Sequence, residues 1–90
     1  MSAKEPIEED ITQTTASFAL YSAYRLIVVV ALAGIPLDES RLRDLETEAL
    51  IDAAEVMEDM RPKASREAIS SGLSVARELF EKYRSWRNSA

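Results

Sequence analysis

The chain has no cysteine and no histidine. Without thiols it cannot be stapled by disulfides or by thiolate-bound zinc, and without imidazole it lacks the commonest metal ligand and general base. Glycine occurs twice and proline three times in 90 residues, which argues against a loop-dominated or disordered chain. Stability must therefore come from burying apolar side chains, and one core is all that a chain of this length supports. Hydrophobic residues make up 47% of the sequence, enough for a single domain over residues 1–90. The ends, 1–8 and 88–90, are expected to fray.

Catalytic motifs are also absent. There is no phosphate-binding glycine loop, no dinucleotide fingerprint, no metal-ligand spacing and no nucleophile with a histidine base. Carboxylates, tyrosines, serines and arginines would have to do any chemistry alone, so a non-catalytic protein with neither metal nor other cofactor is expected.

Basic charge is scarce in the first two thirds of the chain. Residues 1–60 hold 13 acids and 4 bases, whereas residues 61–90 hold 3 acids and 7 bases. Helices folded back on one another would bring these two regions together, and antiparallel association of two chains would do the same. A nucleic-acid role needs a concentrated basic face, but Arg77, Lys82, Arg84 and Arg87 are interleaved with Glu78 and Glu81, so nucleic acid is not expected as a partner. The acidic stretch from Lys4 to Asp10 does not look like the basic start of a signal peptide, which favours a cytoplasmic location.

Punctuation divides the chain into three helical lengths. Gly34-Ile35-Pro36 ends the first, because glycine accepts the left-handed conformation that closes a helix and a following proline cannot continue it. Arg61-Pro62-Lys63 ends the second. The spacing predicts helices near 9–33, 38–60 and 65–86, an all-α antiparallel three-helix bundle with short turns that associates into a homo-oligomeric helical bundle.

The first segment is unusual because every residue from Leu26 to Ala33 is apolar. A surface helix would interrupt such a run with polar residues. Ile11, Phe18, Tyr21, Val28 and Leu32 share one face, while Leu20, Tyr24, Ile27 and Ala31 cover a neighbouring one, so both demand cover. The Ile27–Val30 block has strand propensity but no partner run elsewhere. A membrane span is disfavoured because the uninterrupted run is eight residues and Arg25 stops its extension. Coverage by a second copy is the expectation, together with another protein that the chain would serve as an adaptor, small subunit or inhibitor, and the interface is drawn from Phe18, Tyr21, Tyr24, Arg25, Val28, Val29, Leu32 and Trp86.

The second segment opens with Asp38 as a cap and places Leu42, Leu45, Ala49, Ala53, Val56 and Met60 on one stripe, widened by Leu50 and Met57. Its other face carries Asp44, Glu48, Asp52, Glu55, Glu58 and Asp59, which should make this the most exposed of the three helices. The third segment has Ser65 as a cap and Ile69, Leu73, Ala76, Phe80 and Tyr83 on its stripe, with Val75, Leu79 and Trp86 at the margins. Gly72 in mid-helix costs about 1 kcal/mol relative to alanine. With Ala76 one turn on, it would let another helix approach closely.

Arg25 stands alone among apolar neighbours. It either reaches water or an acid of the second segment, or it contacts an anion or a partner. A small-anion or small-ligand site between helices, with Arg25 and the tyrosines as its polar groups, is the alternative function. In architecture the chain resembles small, dimeric, all-helical chorismate mutases. The resemblance implies a dicarboxylate held by several arginines and lysines, whereas the first segment offers only Arg25 after Lys4.

Overall fold

The computed structural model describes the backbone of residues 5–89 and the side chains of residues 10–85. It is all-α, with α1 at Glu5–Leu32, α2 at Glu39–Met60 and α3 at Arg66–Ser89. The sequence placed residues 5–8 and 88–89 in frayed ends, but their backbone is helical.

Each boundary has a local cause. At the end of α1, Gly34 adopts a φ of 76°. Its N–H donates to the Ala31 carbonyl and the Ile35 N–H to that of Val30, the paired bonds of a glycine-terminated helix. Pro36 then blocks continuation. Asp38 caps α2 by accepting from the Arg41 N–H at 2.8 Å, and Ser65 caps α3 by accepting from the Ala68 N–H at 3.1 Å. Each satisfies an amide that the first helical turn leaves unpaired. Pro62 lies in the intervening turn rather than in the first turn of α3.

Tertiary contacts fix the directions. Asp10 near the start of α1 meets Arg61 at the end of α2 at 3.9 Å, and the Thr12 hydroxyl donates to the Ala68 carbonyl near the start of α3. Glu46 of α2 pairs with Arg84 of α3. Hence α2 runs against both other helices, while α1 and α3 lie parallel, and all three pack together. The result is a slab of about 51 × 27 × 16 Å.

The core is built from small residues. Ala19, Ala23, Ala49, Ala53 and Ala76 surround Phe80 in one cluster, and Ile11, Met57, Ala68 and Ile69 form a second. Phe18 packs against both clusters, so it belongs with the core rather than with an outward-facing set. On α1 the buried line is Ile11, Thr15, Ala19 and Ala23, four residues apart at each step. Apart from Ile11, this line lies on neither of the bulky faces described above. On α2 the stripe follows Leu42, Leu45, Ala49, Ala53 and Met57, leaving Met60 exposed. Tyr83, Val75 and Leu79 of α3 are exposed as well.

The acids named on the outer face of α2 are all exposed, but the helix is not exceptional in this. Among its residues 13 of 22 are exposed, against 13 of the 20 described side chains of α3. The stripe of α2 leaves a long outer face, and so does that of α3.

Candidate association surface

Helix α1 faces the core along one line and leaves the rest of its circumference uncovered. Along its first half the outer residues are polar: Asp10, Gln13, Thr14 and Ser17. From Leu20 onward they are large and apolar. Tyr21 is 59% exposed, Tyr24 67%, Val29 63% and Leu32 84%, with Val28 half-buried among them. These positions recur at three- and four-residue intervals and so form a continuous strip on the helix surface.

Arg25 lies within that strip and is exposed. Its guanidinium carbon sits 5.9 Å from the centre of the Tyr21 ring, within range of a cation–π contact. The ring's electron-rich face holds the charge against the apolar surface.

Of the sequence-predicted residues, Tyr21, Tyr24, Arg25, Val28, Val29 and Leu32 therefore share one surface, while Phe18 is half-buried and packs against both core clusters. The Trp86 side chain lies outside the described residues. Gly72 and Ala76 are buried, and Gly72 sits at the α1–α3 seam. A Cβ built on Gly72 would fall 2.5 Å from the Thr12 carbonyl oxygen and 2.6 Å from Thr15 Cβ, so the two backbones approach as closely as the missing side chain permits.

The sequence put Leu20, 37% exposed at the strip's margin, on a face that demands cover but outside the interface set, and it passed over Ile35 just past the helix end. It also passed over the Glu46–Arg84 pair, whose side chains are only 11% and 14% exposed. Glu46 lies four residues after Leu42 and three before Ala49, so its register on the buried stripe was the available signal.

A groove of about 440 Å³ runs beside the strip, lined by Leu20, Ala23, Tyr24, Ile27, Leu37, Leu42, Phe80 and Tyr83. Its lining has no charged side chain, and Arg25 does not line it. Among the described residues, no three acidic side chains gather where they could hold a metal ion. The stretch Asp10–Leu32 is long and apolar enough to cross a membrane by length and composition. The sequence argument against a span rested on the shorter uninterrupted run. Within the fold, the Ala19–Ala23 side of this stretch packs on α2 and α3.

No protein-family model matches the chain, and no curated protein or solved structure matches it.

Proposed function

We propose that this protein is a non-catalytic association module that works as a homo-oligomer through the outer face of the second half of α1. The observation that supports this is the exposed strip from Leu20 to Leu32. Monomeric soluble proteins rarely leave a contiguous apolar surface of this kind in water, and exposed tyrosines and an arginine among aliphatic residues match the composition of interface centres.

The charge distribution supports the same reading over a nucleic-acid role. Arg84 is taken up by Glu46 in a largely buried pair, and Arg61 lies 3.9 Å from Asp10 on the surface, so part of the basic C-terminal third is already matched by acids. The small-anion alternative would need further cations near Arg25, and its nearest described partner is an aromatic ring.

Sedimentation equilibrium tests the proposal. The chain should show a mass that is a multiple of 10.1 kDa at micromolar concentration, and Val29→Glu should return it to the monomer without loss of helix content. A monomeric parent chain would overturn the reading.

A further inference from the structure

The outer face of α1 changes character at Leu20, and that change constrains how two copies can meet. In a parallel pairing with like residues opposed, Asp10 would lie against its counterpart, whereas Arg25 comes within one helical turn of its own copy in either direction. The polar halves would also be pressed together with the apolar ones. Like charges set opposite one another across a contact are destabilising. In an antiparallel pairing only the apolar halves overlap, and the polar halves run past each other into water. The overlap, residues 20–32, is about 20 Å long at 1.5 Å per residue.

We propose that two copies pair through antiparallel α1 helices about a two-fold axis level with the midpoint between Arg25 and Val28. Tyr21 of one copy then lies level with Leu32 of the other, and Tyr24 with Val29. Arg25 keeps its contact with Tyr21 and lies level with Val28 of the other copy. The opposed helix dipoles add a small favourable term. This arrangement rests on the self-association reading above.

The area argues for a second copy as the occupant. From their exposures, Leu20, Tyr21, Tyr24, Val29 and Leu32 leave at most about 650 Å² per chain to be covered, the same order as the roughly 800 Å² per partner of a standard stable interface. Each copy therefore presents about the surface that the other needs. The acidic outer face of α2 takes no part in the overlap.

The absence of cysteine makes single-site nitroxide labelling clean. Ser17→Cys, Val28→Cys and Leu32→Cys, each labelled singly, would be measured by pulsed dipolar spectroscopy, with the mass of each sample and of the unlabelled chain taken by sedimentation. The antiparallel arrangement gives axial offsets between paired labels of about 5 Å at position 28, about 16 Å at 32 and about 28 Å at 17, so measured distances should rise in that order. Similar distances at all three sites in a dimer would overturn the arrangement and leave self-association standing. A monomeric unlabelled chain would remove both, and its binding to phosphatidylcholine vesicles would assign the strip to lipid instead. Should a label at 28 or 32 split the dimer, Ser17 lies outside the overlap and still decides between the two directions.

Discussion

Replacing Gly72 by alanine adds one methyl group at the tightest point of the bundle. The new Cβ would meet the Thr12 carbonyl oxygen at 2.5 Å, Thr15 Cβ at 2.6 Å and Thr15 Cγ2 at 3.0 Å. The first is backbone and the second is fixed to it, so neither can swing aside, and α1 must move away from α3. That movement strains the Thr12 hydroxyl bond to the Ala68 carbonyl, 3.2 Å in the undisturbed fold. Overpacking costs about 1–3 kcal/mol, and the fixed obstacles here place it at the upper end. Alanine's higher helix propensity returns about 1 kcal/mol. The net expectation is a loss of about 2 kcal/mol, or roughly 10 °C in Tm for a domain of this size. Urea and thermal unfolding followed by far-ultraviolet circular dichroism would measure it. Ser71→Ala, exposed on the same helix, is the control and should stabilise by a few tenths of a kcal/mol. A Gly72→Ala chain as stable as the parent, with the control behaving as expected, would refute the close approach of the two helices.

Three further outcomes follow from the structure. Gly34→Ala should cost about 1 kcal/mol through its positive φ alone, since no atom lies within 4 Å of the added Cβ; a neutral result in urea unfolding would mean that α1 ends differently. Arg84→Met should destabilise by about 3 kcal/mol because it strands the Glu46 carboxylate, whereas Arg84→Met with Glu46→Leu should recover most of the loss; the two variants showing equal stability would argue against a buried pair. Thermal unfolding should shift upward with protein concentration, because association stabilises only the folded chain; a Tm constant over a hundredfold range would count against self-association.

The helices and their ends were legible because the signals are local. Glycine followed by proline, an aspartate before an apolar-periodic run, and a serine three residues ahead of an amide each act within one turn. The buried face of α1 was harder to read. Bulk drew the sequence reading to Phe18, Tyr21, Val28 and Leu32 as a face needing cover, but it gave no sign that the bundle closes on Thr15, Ala19 and Ala23. Small residues attract little attention on any hydrophobicity count, but they let backbones approach, and the approach is what Gly72 permits. On α2 the sequence put Val56 and Met60 on the stripe and Met57 at its margin, whereas Met57 is fully buried and Met60 exposed. Glu46 was passed over because its partner lies 38 residues away, beyond any helical period.

Small residues at the centre and large ones outside make association and stability parts of one problem. Large aliphatic and aromatic side chains usually lie inside, where each contributes about 1.5–3 kcal/mol on burial. In this chain alanines occupy much of that position, and Tyr21, Tyr24, Val29 and Leu32 stand in water. The alanine seam gains close helix contact but hides little area per residue, so the isolated bundle holds a modest share of the burial its composition could provide. Covering the strip with a second copy would recover the remainder. A charge at Val29 acts on the strip alone, whereas a methyl at Gly72 acts on the seam. If the chain folds first and associates second, Val29→Glu should leave a folded monomer of lower Tm, and Gly72→Ala should weaken folding and assembly together.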